Sequence, residues 1–182
     1  MTFLLSAMIA LFIWGVIIYN RLVRDRNRVQ TAWSDIDVQL KRRYDLIPKL
    51  VAAVDQYAQY ERSTLTTLIE LRSRTQQAAD LDEKGTLEEM IGGGLRKLIA
   101  LAEAYPELKA DRSFLQLQNE LTEVENQIQY ARRFYNGSVR NLNTRIDSFP
   151  DLLVARLFRY RPQPFFELEP ARQADPPEIF QT

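Results

Sequence analysis

The chain has 182 residues, 24 lysines and arginines against 24 aspartates and glutamates, and neither histidine nor cysteine. Balanced charge leaves no global field to attract nucleic acid, so no nucleic-acid partner is expected. The missing residue types remove the commonest general base and metal ligand, every disulfide and every thiolate metal site.

Phe3–Tyr19 (FLLSAMIALFIWGVIIY) carries no charge, and Arg21, Arg24, Arg26 and Arg28 follow it at once. Roughly 17 residues at ~1.5 Å each cover about 26 Å, near the lower limit for crossing a hydrocarbon core. A cleaved signal would place its basic residues before a shorter apolar run. Here they come after it, which predicts a retained anchor over residues 1–20. The positive-inside rule then puts the N-terminus outside and the remainder in the cytoplasm, in a single-pass inner-membrane topology. Tyr19 and Trp14 are candidate interfacial aromatics.

Between Arg21 and Ala79 there is no glycine and one proline, in a background of good helix formers. Val29, Trp33, Ile36, Leu40, Ile47, Leu50, Val54 and Tyr57 form one apolar helical stripe. Pro48 lies within it, and the stripe keeps its phase across the proline. That favours a kink, with a sharp turn capped by Asp45 as the alternative. Asp80–Gly94 predicts a break, with Gly85 stopping one helix and Thr86 and Glu89 spaced as a capping box for the next. A short helix is expected over Leu95–Ala104, ended by Tyr105-Pro106. Asp111 or Ser113 can cap the last long helix. Phe114, Leu121, Ile128, Tyr135, Leu142 and Phe149 recur every seven residues along it. Leu117, Val124 and Ala131 give way to Val139 and Ile146, the drift of a 3.6-residue helix against a heptad. Pro150 ends the pattern.

These elements predict an all-α protein: an N-terminal single transmembrane helix, then an antiparallel up-and-down helical bundle of three to four long helices. The expected divisions are anchor 1–20, bundle 21–150, a basic and aromatic membrane-proximal segment 151–166, and a flexible, acidic, proline-rich tail 167–182. A chain that leaves the bilayer along its first helix and returns along its last brings residues after Phe149 back to that surface. There Arg156, Arg159 and Arg161 alternate with Leu153, Leu157, Phe158 and Tyr160. The composition suits an interfacial helix, or a segment packed on the base of the bundle. Arg21, Arg24, Arg26 and Arg28 face the same headgroups.

Carboxylates cluster at Asp35/Asp37/Asp45, Glu103/Glu107/Asp111 and Glu120/Glu123/Glu125, but a helical di-metal site needs histidines. Solvated helix faces account for most of these groups, with an all-oxygen magnesium or calcium site as the alternative, and no metal or other cofactor is expected. Gly92-Gly93-Gly94 lacks the preceding strand and the glycine-lysine-serine/threonine spacing of a phosphate loop and reads as a linker or a site of close helix packing. Arg43, Glu125 and Arg132 fall on core seams. They read as partly buried ion pairs, or else as a functional polar pocket. Tyr135 and Asn136 are expected to satisfy backbone or partner groups.

Tyr19–Val51 and Gly93–Phe134, with Tyr135-Asn136, Asn141–Thr144, Phe149-Pro150 and Phe165-Phe166-Glu167, resemble the LemA family over nearly the whole chain. The resemblance implies a single-span protein with a cytoplasmic helical bundle and supplies no catalytic residue. It also implies links to membrane remodelling, including magnetosome formation, and to membrane zinc peptidases and TPM-domain proteins as possible partners. The chain departs from the family pattern at Gln59-Tyr60-Glu61, where a histidine is common, at Gly137, where an acidic residue is usual, and at Leu142, where an aromatic is usual. The function expected is a non-catalytic, membrane-anchored scaffold or adaptor, homo-oligomeric, organising partner proteins or lipid. The alternative is a regulatory subunit of a membrane protease or another membrane enzyme. Leu65, Leu68, Ile69 and Leu71 occupy more than one helix face and are the expected surplus for self-association.

Overall fold

The computed structural model describes residues 1–57 and 62–166. Gln59-Tyr60-Glu61 and the tail expected over 167–182 lie outside the described residues. Among those described there are six helices and no strand: α1 (Thr2–Asp55), α2 (Arg62–Gln77), α3 (Leu81–Glu103), α4 (Pro106–Ala110), α5 (Arg112–Asp147) and α6 (Asp151–Leu157). The all-α class stands, with four long helices and two short ones. The described residues divide into two compact units, one of Met1–Val38 with Ile128–Phe165, the other lying within Gln39–Gln127 and including Phe166.

In the first unit, α1 and the second half of α5 run antiparallel. Trp33 meets Tyr135 edge-on at 5.6 Å, and further back along α1 Asp25 meets Arg145 at 2.6 Å. Val29, Ala32 and Ile36 pack in the core with Ile128, Tyr135, Val139, Leu142 and Ile146, all buried. The seam therefore drifts as the heptad pattern predicts. Phe149, the last residue of that heptad, is a correction: it lies past the end of α5 and is 79 % exposed. The start of α1 behaves differently. Its most apolar 18-residue window has a mean hydropathy of 2.3 and is only 6 % buried, so it is no core helix; it is long and apolar enough to cross a membrane. Packing begins at Ile18 and Leu22, which are buried.

The second unit joins the rest of α1 to α2, α3, α4 and the start of α5. Leu40, Ile47, Leu50 and Val54 pack in its core with Leu68, Leu87, Ile91, Leu98, Leu108 and Phe114. α1 runs through Pro48 as one helix, so Asp45 is an interior residue and no cap. Proline has no N–H to give the carbonyl four residues back, and that carbonyl belongs to Tyr44. The Arg72 Nε of α2 donates to it instead, at 2.7 Å. α1 nonetheless ends at Asp55 and α2 begins at Arg62, a break that neither glycine nor proline announces.

α3 overturns the expected break at Asp80–Gly94. It starts at Asp80, whose carboxylate accepts from the backbone N–H groups of Asp82 and Glu83 at 3.2 and 3.1 Å. It then passes through Gly85 and all three glycines at 92–94. Thr86 is mid-helix, its hydroxyl donating to the Asp82 carbonyl at 3.1 Å, so the capping box and the separate Leu95–Ala104 helix do not exist. Each glycine costs a helix about 1 kcal/mol relative to alanine, and burial offsets that cost. Glu88, Ile91, Leu95, Leu98 and Ala102 recur at helical spacing and are all buried. Gly94 gives close packing in return: a Cβ there would lie 2.7 Å from Leu68 Cδ2, whereas Gly92 and Gly93 meet nothing closer than 3.8 Å. Asp111, rather than Ser113, caps α5 by accepting from the Phe114 N–H at 2.9 Å. Leu65, Leu68 and Leu71 are buried, so of the expected surplus apolar residues only Ile69 is exposed.

Candidate functional site

Two groups of polar residues stand out, one in each unit. The first begins where the uncharged part of α1 ends. The Tyr19 ring packs on Phe158 at 4.6 Å. Arg21, Arg24, Arg26 and Arg28 are exposed, and Arg28 also lies over the Phe134 ring at 5.4 Å. On the returning side, Arg156, Arg159 and Arg161 are exposed, and so are Phe149, Leu153, Leu157 and Phe158. Of the segment from 151 to 158 only Ala155 is buried. Leu153 and Leu157 project away from the unit's core instead of into it.

What fixes this segment is a set of side chains that sequence reasoning missed. Arg145 on α5 donates to Asp25 of α1 at 2.6 Å and to Asp151 of α6 at 3.1 Å, and so joins three helices. Its guanidinium is held above its usual pKa first by the hydrogen bond to Asp25 and then by Asp151, against the opposing effect of burial. Asn143 clamps the extended chain after α6: its Oδ1 accepts from the Gln163 N–H at 2.8 Å and its Nδ2 donates to the Gln163 carbonyl at 2.9 Å. Tyr135 does the same one residue on, its hydroxyl donating to the Pro164 carbonyl at 3.0 Å. Burial raises the Tyr135 pKa. Tyr135 thus satisfies a backbone group. Asn136 is half-buried beside it in sequence. Arg132 donates to Gln129 one turn away at 3.4 Å.

The second group is a buried charge cluster. Arg43 and Glu88 are each 1 % exposed and form an ion pair. Glu88 also accepts from the Tyr44 hydroxyl. Arg43 Nη1 reaches Glu125 at 2.9 Å, and the Glu125 side chain is 37 % exposed. The structure therefore brings together Arg43 and Glu125 and adds Glu88. Helical phase would have found Glu88, three residues before Ile91 and seven before Leu95, had α3 been continued back through its glycines. Buried ion pairs of this kind add little net stability, yet losing one partner is costly because it leaves the other charge buried and alone. Among the described residues no three acidic side chains converge as metal ligands.

The sequence profile of the LemA family matches residues 32–180. Protein LemA of Metamycoplasma hominis is 31 % identical over 142 residues, or 75 % of this chain and 63 % of that protein. The chain thus spans less than two thirds of that relative's length. Magnetosome protein MamQ of Magnetospirillum gryphiswaldense is 22 % identical, over 90 % of this chain and 70 % of that protein. Magnetosome protein MamQ 2 of Paramagnetospirillum magneticum is 24 % identical, with the same shares covered. Arg43, Glu88, Glu125, Arg145 and α6 lie inside the matched region, and Arg21–Arg28 lie before it.

Proposed function

The chain belongs to the LemA family, and from that premise we propose that it is a membrane-anchored, self-associating scaffold or adaptor. It acts by holding its helices against one face of the bilayer and presenting them to partner proteins or lipid, without catalysis. The reading is carried by α6 and the residues just after it, where exposed Leu153, Leu157 and Phe158 stand among Arg156, Arg159 and Arg161 and Phe158 contacts Tyr19 at the end of the uncharged run. Apolar side chains beside cations are what an interfacial helix presents. Anionic headgroups attract each such cation by about 1 kcal/mol. The one-sided arginines after Tyr19 favour a cytoplasmic location for everything that follows the anchor.

A second reading, a regulatory subunit of a membrane protease or another membrane enzyme, draws on a cleft of about 480 Å³ in the second unit. Leu95, Ile99 and Leu121 line it, with Arg96 and Glu125 at its sides. The test for both readings is extraction of the full chain in native-lipid nanodiscs, followed by single-particle mass measurement. Self-association requires particles holding several 21.3 kDa chains. Uniformly single chains contradict the scaffold. An Ile99→Arg chain with unchanged particle size that alters the activity of a co-extracted enzyme favours the regulatory reading.

A further inference from the structure

A cavity of about 320 Å³ opens in the first unit beside Tyr19. Arg26, Arg159, Tyr160, Arg161 and Gln163 line it with Tyr19, and no acidic residue does so among those described. Its volume is at the small end of the ~300–1,000 Å³ usual for ligand clefts. Arg26 lies two turns past Tyr19, so the cavity sits just beyond the end of the uncharged run. Its walls are held in place: Gln163 by the Asn143 clamp, and Phe158, behind Tyr19, by the ring contact.

The backbone at Arg159 carries the inference. α6 ends in a Schellman motif, in which the Tyr160 N–H donates to the Ala155 carbonyl at 2.9 Å and the Arg159 N–H to the Arg156 carbonyl at 3.1 Å. The position between the cap and the closing residue adopts left-handed φ, and glycine usually fills it. Here it is Arg159, with φ 56°, the only non-glycine residue at positive φ among those described. A cap alone does not call for arginine there. Left-handed backbone strain concentrates where a side chain is needed for function, and this side chain lines the cavity. Tyr160 follows it. Burial raises the Tyr160 pKa, as does Tyr19, while Arg26 lowers it, so these groups sit close enough to feel one another.

We propose that this cavity binds one phosphate group, as presented by an anionic phospholipid headgroup or a soluble phosphoester. Three guanidiniums and two phenols offer more donors than the two oxygens of a carboxylate accept, and forked guanidiniums suit phosphate. Tyrosines at the end of an apolar span lie at headgroup depth, which favours the lipid as the source. The inference rests on the membrane-anchored reading and deepens it from general surface attraction to one defined headgroup site.

The test uses the full chain in delipidated detergent micelles. It is titrated in one arm with short-chain phosphatidylglycerol and in the other with inorganic phosphate and glycerol phosphate, and bound molecules are counted by native mass spectrometry. One saturable phosphatidylglycerol per chain is expected. Arg26→Gln/Arg161→Gln should weaken it at least about tenfold, and the charge-matched Arg21→Gln/Arg24→Gln, away from the cavity, by no more than about threefold. Arg159→Gly should also weaken binding while leaving the thermal midpoint unchanged or higher, because glycine relieves the strained cap. One-to-one binding of the soluble phosphates alone, with the same arginine dependence, supports the site and assigns it a soluble source. Equal losses in the two arginine pairs, or no one-to-one binding in either arm, overturn the proposal. Resistance of the same variants to alkaline extraction from membranes reports on the anchor separately, so a failed headgroup site and a failed anchor are distinguishable.

Discussion

Replacing Arg43 by methionine keeps most of the stem packing and removes the charge. It leaves the Glu88 carboxylate, 1 % exposed, with the Tyr44 hydroxyl but without the Arg43 cation. Breaking a buried pair by removing one partner costs about 3–5 kcal/mol, a large share of the ~5–15 kcal/mol that holds a typical domain together. At a urea slope of about 2 kcal/mol per molar, a loss of about 4 kcal/mol lowers the unfolding midpoint by about 2 M. Glu125 tells the two carboxylates apart. Its side chain is 37 % exposed, so water replaces Arg43 there and Glu125→Gln should cost no more than about 1 kcal/mol. Arg43→Met/Glu88→Met removes both buried charges and should return to within about 1 kcal/mol of the parent. The assay is urea unfolding of the full chain in detergent, followed by helical circular dichroism. An Arg43→Met chain within about 1 kcal/mol of the parent refutes the argument, as does a double variant as unstable as the two single losses combined.

Three further outcomes follow from particular contacts. Arg72→Ala takes the guanidinium donor from the Tyr44 carbonyl and should cost about 1–3 kcal/mol. In a Pro48→Ala background, where the introduced alanine supplies the missing N–H, the same change should cost under about 0.5 kcal/mol, and a double-mutant cycle reads the difference. Gly92→Ala and Gly93→Ala should each stabilise α3 by about 1 kcal/mol by thermal unfolding. Gly94→Ala should instead destabilise by up to about 2 kcal/mol, since overpacking Leu68 costs about 1–3 kcal/mol before that propensity gain. Burial raises the Tyr135 pKa above its ordinary 10.0. The hydroxyl's contribution is therefore intact below the unfolded value and lost as pH climbs through the higher folded one. The parent should lose more stability above about pH 10 than Tyr135→Phe does, as read by urea midpoints at stepped pH.

The apolar stripes of α1 and α5 were legible because burial on one helical face leaves a 3.6-residue record, whatever the loops do. Arg43 and Glu125 were found for the same reason, as charges standing in core phase. The glycine-rich part of α3 was misread because intrinsic propensity counts each glycine as a breaker, while Ile91, Leu95 and Leu98 repay the helix through packing. That misreading also hid Glu88, the most deeply buried acidic partner of Arg43. Asp25, Arg145, Asp151 and Asn143 left no periodic signal. Each is an ordinary surface residue until α1, α5, α6 and the chain after α6 come together, and long-range pairs of that kind need the tertiary arrangement. Arg159 was noticed for its charge, but its left-handed backbone is a property of the cap and not of the residue.

The absence of cysteine makes one labelling measurement direct. Nitroxides on Leu157→Cys, Phe12→Cys and Asp82→Cys, in the full chain reconstituted into vesicles with anionic lipid, report whether each site is reached by oxygen or by a water-soluble nickel complex. If α6 is a second membrane contact beside the anchor, the label at 157 is protected from nickel and accessible to oxygen, as at 12 and unlike 82. A label at 157 as open to nickel as the one at 82 contradicts the account and leaves α1 as a plain tether.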